Sequence, residues 1–203
     1  MIKEKTIIAH QSEKFVFAVS KRNILDGNHF YIIPKEHYVS SVVLDEDYSE
    51  ELDEFKSKLI QLYEKDGKSL LFFEMSKLGR HLKLEVVPIE SNLINSCKRL
   101  LLNEFEMSND ETSSKAYRDL STVPGGLKHA IADGIPYTWF TVDNEPGFLH
   151  RLSRPDKFDD DFYYNVLGAE LIEEFDDMQL AQKLSPTEVR DKCQRLREKL
   201  NNL

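Results

Sequence analysis

A chain of 203 residues, 40% of them hydrophobic and 31% charged, is long enough to bury a real core and too apolar for a disordered tail. Its net charge of −9 argues against tight, sequence-independent binding along a phosphate backbone, and no apolar run approaches the roughly 20 residues that cross a bilayer. The first fourteen residues lack the apolar centre of a secretion signal, and Cys97 and Cys193 fit no CxxC pattern, which predicts free thiols in a reducing compartment.

In chain order, residues 14–20 (KFVFAVS) and 29–34 (HFYIIP) read as strands, with Asp26-Gly27 as the turn signal between them. Asp45 is the expected N-cap of a helix running to about Lys65. Leu52, Phe55, Leu59, Leu62 and Tyr63 give it one apolar face, and Gly67 ends it. Residues 69–75 (SLLFFEM) are apolar enough for a buried central strand. The next strand, 81–90 (HLKLEVVPIE), alternates: Leu82, Leu84 and Val86 form an apolar face, while His81, Lys83 and Glu85 place a base, an ammonium and a carboxylate on the other. A helix follows, with Leu93, Cys97, Leu100 and Leu101 on one face and Ser91 or Asn92 as its cap.

Near Met107 the composition turns polar (EMSNDETSSK), which marks a boundary between a unit at 1–106 and a unit at 107–203. Residues 137–143 (YTWFTVD) read as a strand, with Trp139 as a core residue. The last twenty residues predict a helix with Ser185 as N-cap, Pro186 at its first position and Glu188 completing a capping box. Val189, Cys193, Leu196 and Leu200 form its buried stripe. The element order predicts an α+β fold with an antiparallel sheet of about five strands from the first half, joined to the second half through 137–143.

Between Ser153 and Asp177 nine acids stand against Arg154 and Lys157. One reading is a solvated face. The other is a docking surface for a basic partner, built from Asp156, Asp159, Asp160, Asp161, Glu173 and Glu174. His10, His129 and His150 have no ligand spacing, and His29 reads as a half-buried strand residue. The Gly pair in PGGLKH is not followed by the lysine and serine of a phosphate-binding loop.

Four features fall in a recognisable order: GNHFYIIPKEHY, the amphipathic helix, LLFFEM and HLKLEVVPIE. Together they resemble the histidine-triad superfamily, and the VVP that follows the triad positions resembles its CwfJ branch of splicing-associated proteins. The stretch IPYTWFTVDNEPGFLHRLSRPDKFDDDFYYNVLGAELI is similar to that branch's second segment, except that YYN (Tyr163, Tyr164, Asn165) stands where the segment has a charged pair. The resemblance implies a histidine-triad-like antiparallel sheet with helices, and a C-terminal strand and helix segment packed on it.

In enzymes of that superfamily the middle histidine of the triad attacks an α-phosphate. Here the triad positions are His81, Lys83 and Glu85. A lysine with an ordinary pKa near 10.4 is protonated at neutral pH and cannot attack, and Glu85 on the same face should hold that proton. The resemblance thus implies a lost catalytic centre and no enzyme. His29, His37, His81 and Lys83 mark the remnant ligand pocket. In zinc-containing relatives the positions of His37 and His81 complete a tetrahedral site with an upstream CxxC pair. The sequence of this chain holds no such pair, so no cofactor is expected within it, and zinc enters only with cysteines from outside it. Within the CwfJ branch the chain is nearest in character to relatives associated with the lariat debranching enzyme. The implied role is a scaffold in turnover of excised intron lariats, contacting the debranching enzyme or a late spliceosome protein, in the nucleus and also the cytoplasm. Two alternatives stand beside it: a module that binds branched lariat RNA or a nucleotide in the remnant pocket, and, less favoured, a nucleotide hydrolase or transferase.

Overall fold

Strands that are apolar on both faces have to be covered on both faces, and that requirement decides the architecture. The computed structural model describes residues 7–20, 29–108, 116–172 and 184–201. Its strands are β1 (Ile8–Gln11), β2 (Phe15–Val19), β3 (Phe30–Pro34), β4 (Lys68–Ser76), β5 (Leu84–Glu90), β6 (Arg118–Asp119), β7 (Tyr137–Val142) and β8 (Phe148–Arg151). They form one sheet in the order β1-β2-β3-β5-β4-β7-β8-β6, with every neighbouring pair antiparallel. The expected α+β class and antiparallel pairing hold, and five of these strands come from the first half. β7 pairs with β4 from Leu71 opposite Val142 to Ser76 opposite Tyr137, so the sheet is continuous across the boundary read at Met107.

Helix α1 (Glu46–Glu64) buries Tyr48, Leu52, Phe55, Leu59 and Tyr63 against the sheet, while the expected Leu62 is only half-buried. Asp45 occupies the N-cap position but caps nothing with its side chain. Its Oδ2 instead accepts from the Tyr38 hydroxyl at 2.7 Å. Gly67 ends the segment at φ +72°, a conformation that side chains rarely adopt. Helix α2 (Ile94–Met107) has Leu93 at its N-cap, so neither Ser91 nor Asn92 caps it. Ser91 is drawn away by β4: its Oγ lies 3.2 Å from that of Ser69 and its N–H donates to the Gly67 carbonyl. The remaining helices are the short α3 (Gly126–Ala130), α4 (Phe162–Leu171) and α5 (Pro186–Leu200). In α5 the Ser185–Glu188 capping box and the buried Val189, Cys193, Leu196 and Leu200 are as expected.

Side-chain parity divides the core. Leu84 and Val86 of β5 join Phe17, Phe30, Leu59, Phe72 and Leu196 on the face covered by α1 and α5. Val87 and Ile89 join Leu71, Phe73, Cys97, Leu101, Phe105, Tyr163 and Leu167 on the face covered by α2 and α4. Each fully buried Phe or Leu contributes about 1.5–3 kcal/mol, so both layers are needed to hold the sheet. The strand expected at 81–90 is shorter than read, because residues 81–83 form an extended approach tied to the first half by the Leu82 N–H and the Tyr38 carbonyl, 2.6 Å apart. The Asp26-Gly27 turn, most of the polar loop after Met107, and Glu173 and Glu174 lie outside the described residues.

Candidate functional site

Odd-numbered positions of β5 and its approach face the layer of α2 and α4. His81, Lys83 and Glu85 therefore lie on the same side of the sheet as α4 of the second half. Lys83 Nζ sits 2.6 Å from Glu85 Oε1, with the lysine side chain 43% exposed and the glutamate 8%. The other carboxylate oxygen, Oε2, accepts from the hydroxyl of Tyr164 in α4. Tyr31, opposite Glu85 in the β3–β5 register, lies beneath the lysine, with Nζ 4.5 Å from its ring centre. Burial, with the Glu85 charge second, pushes the Tyr164 hydroxyl well above the ordinary tyrosine pKa, so it stays a donor at any physiological pH.

This geometry engages Lys83 on two sides. A lysine attacks only as the neutral amine, and here the ammonium is held by a carboxylate within hydrogen-bond distance on one side and an aromatic face on another. The third triad position, where a donor would steady a phosphoryl oxygen, carries a carboxylate already engaged by Lys83 and Tyr164. His29 lies just ahead of β3 and is 1% exposed rather than half-buried, with its ring 5.6 Å from Tyr31 and 5.5 Å from Tyr164. The helix that supplies Tyr164 closes over it, which β3 periodicity alone does not reveal.

At the open end of the site His37 Nδ1 and His81 Nδ1 are 2.9 Å apart, and His81 Nε2 lies 3.0 Å from the Pro34 carbonyl. A carbonyl only accepts, so His81 carries a hydrogen on Nε2, and a single hydrogen is shared between the two Nδ1 atoms. A backbone carbonyl fixing the far ring nitrogen is the arrangement that orients metal-ligating histidines. Yet two imidazoles are half of a tetrahedral set, and among the described residues no group of three His, Cys, Asp or Glu side chains converges. Cys97 and Cys193 are both buried as free thiols, Cys97 under α2 and Cys193 under α5. The described residues do not by themselves make a closed zinc site.

The acidic stretch is not a uniform solvated face. Asp160 accepts from Lys77 Nζ at 2.5 Å and from an Arg80 terminal amine at 2.7 Å, and the Arg80 hydrogen bond is the largest cause of its pKa falling to about 2. Asp159 accepts from the Asp161 N–H and the Asn165 side-chain amide, which holds the start of α4. Asp156 is exposed.

Two groups at the join between the halves escape sequence reasoning. Glu74 of β4, 1% exposed, accepts from the Ser41 N–H and hydroxyl, the Tyr137 hydroxyl and the Trp139 indole, at 2.5–3.1 Å. A lone acid inside LLFFEM is the signal that could have found it, since such a carboxylate has to be satisfied internally. Tyr163 and Tyr164, read only as a departure from a charged pair, are the other. Tyr163 shares a 2.6 Å hydrogen bond with Thr138 of β7, and its ring stacks 4.1 Å from that of Phe73.

Comparison with known proteins places residues 2–101 in a family described as similar to the CwfJ C-terminal region. CWF19-like protein 1 of Xenopus laevis is 26% identical over 172 residues, covering 83% of this chain and 30% of that protein. CWF19-like protein 2 of Homo sapiens is 25% identical over 170 residues, or 81% of this chain and 19% of its own length. Zinc finger CCCH domain-containing protein 64 of Arabidopsis thaliana is 33% identical over 158 residues, covering 70% of this chain and 26% of that protein. The chain thus spans less than a third of the length of these relatives. A hypothetical histidine triad nucleotide-binding protein from Sulfolobus tokodaii overlaps 97% of this chain and 89% of that one at TM-score 0.33 and 16% identity, a likeness too low to carry an argument.

Proposed function

The chain belongs to the CwfJ C-terminal family, and from that premise we propose that it is a catalytically degenerate scaffold that modulates the turnover of excised intron lariats through protein contacts. The observation that carries this reading is the Lys83–Glu85 ion pair capped by Tyr164. A site that kept a nucleotide would hold cationic or neutral donors toward phosphate. This one spends its ammonium on its own carboxylate and is roofed by a tyrosine from the second half. What the chain offers a partner is therefore surface rather than chemistry.

The partner class proposed is the lariat debranching enzyme or a late spliceosome protein, met in the nucleus and also in the cytoplasm. The Asp156–Asp161 loop is the first surface to test, because clustered carboxylates speed encounter with a basic partner. Asp156 is the position to reverse, since Asp159 and Asp160 already hold the fold. The test is co-elution and association rate of the full chain with purified debranching enzyme. The expected result is a complex whose association slows with rising salt and slows further in Asp156→Lys. Absence of any complex, with lariat RNA bound instead, would move the function to a branched-RNA module.

A further inference from the structure

Among the described residues two large apolar side chains stand exposed, Met107 at 79% and Leu78 at 74%. A single exposed apolar side chain needs no explanation, but these two flank one groove. Met107, the last residue of α2, lines a cavity of about 400 Å3 together with Arg151, Lys157 and Phe158. Leu78, in the turn after β4, lines a second cavity of about 570 Å3 together with Asp156 and Phe158. Phe158 and Asp159 belong to both, so the cavities are halves of one surface with Phe158 between Met107 and Leu78. That centre is preformed. The Phe158 ring lies 4.9 Å from that of Phe162 in α4, and its carbonyl accepts from Lys77 Nζ at 2.6 Å.

The two halves differ in charge. Asp160 is committed to Lys77 and Arg80, and Asp159 accepts from the Asp161 N–H and the Asn165 amide. Glu104, the other acid of the Met107 half, is half-buried. Arg151 and Lys157 in the Met107 half, and Asp156 in the Leu78 half, are exposed and have no ion pair among the described residues. A groove with an apolar side chain at each end, cations in one half and an acid in the other is complementary to itself. A two-fold axis near Phe158 sets each half of one copy against the opposite half of the other. Met107 of each copy then faces Leu78 of the other, and Arg151 and Lys157 of each face Asp156 of the other.

We propose that the Met107–Phe158–Leu78 groove is occupied by a second copy of this chain, as a two-fold symmetric dimer. The apolar ends supply the association and the charges set the register. Both core layers are complete within one copy, so the dimer is reversible and depends on concentration. It does not rest on the role proposed above, because its test needs this chain alone. It would cover Asp156, so a basic partner docking on that loop and the second copy would compete.

The experiment is sedimentation equilibrium of the full chain from about 1 to 200 μM, a range that reads dissociation constants tighter than about 100 μM. Leu78→Asp is the first variant, in an exposed turn where the added charge leaves the core intact. Gln61→Glu, exposed on α1, adds the same charge away from the groove and is its control. The expected result is a monomer–dimer equilibrium weakened about tenfold or more by Leu78→Asp and unchanged by Gln61→Glu. Asp156→Lys and Lys157→Glu should each associate less than the wild type, because each sets like charges face to face, and a mixture of the two should associate more tightly than either alone. A monomer throughout the range, a dimer indifferent to Leu78→Asp, or no gain on mixing the two charge variants would overturn the proposal.

Discussion

Tyr164 of α4 donates its hydroxyl hydrogen to Glu85 of β5, joining residues 79 positions apart in the chain at the point where the triad would end. The bond ties the two halves together and closes the pocket in one contact. Removing it leaves a buried carboxylate oxygen without its donor, which costs about 1–3 kcal/mol. Tyr164→Phe should therefore lower the free energy of unfolding measured in urea by that amount. In a double-mutant cycle with Glu85→Gln the two changes should couple by about 0.5 kcal/mol or more. Strict additivity would show that the hydroxyl and carboxylate do not meet.

Glu74 makes a second join, and a stronger prediction. Its carboxylate serves Ser41 from the first half and Tyr137 and Trp139 from β7. Burial raises its pKa, and the hydrogen bonds that it accepts act in the opposite direction. Glu74→Leu would leave several buried donors without an acceptor and should cost about 3–5 kcal/mol, whereas Glu74→Gln keeps one oxygen in place and should cost less. Equilibrium unfolding of the two variants checks the order. Equal, small losses would contradict it.

The Asp160 latch predicts a pH dependence. Its folded pKa, about 2, lies below the ordinary aspartate value of about 3.9. Its stabilisation is therefore fully present above about pH 4 and is lost as pH falls through about 2. Half of the Asp160 side chain is exposed, so the effect is small, within about 1 kcal/mol. The stability gap between the wild type and Asp160→Asn should be constant near neutrality and close by about pH 2. A gap that persists in acid would contradict the latch.

How far the sequence reaches is visible in these same residues. The α5 capping box, the α1 stripe and the antiparallel sheet follow from local spacing, because each is a contact between neighbours along the chain or across one strand pair. That His37 and His81 belong to one site is what the family resemblance implies rather than what spacing shows, and their Nδ1 atoms lie 2.9 Å apart. Tyr164, Asp160 and Glu74 act across sequence gaps of 63 to 83 residues, where periodicity carries no information. His29 was misread for that reason, since what buries it comes from α4. The Asp159–Asp161 run looked like loop charge because sequence shows the acids and hides Lys77, Arg80 and Asn165.

The central claim is that Lys83, paired with Glu85, cannot take the nucleophile's part. The most direct measurement is incubation of the purified chain with a dinucleoside polyphosphate and a nucleoside phosphoramidate, following both turnover and the mass of the intact protein. The account predicts no hydrolysis above background and no nucleotidyl adduct on any residue. Turnover that disappears in Lys83→Ala, or an adduct mapped to Lys83, would contradict it.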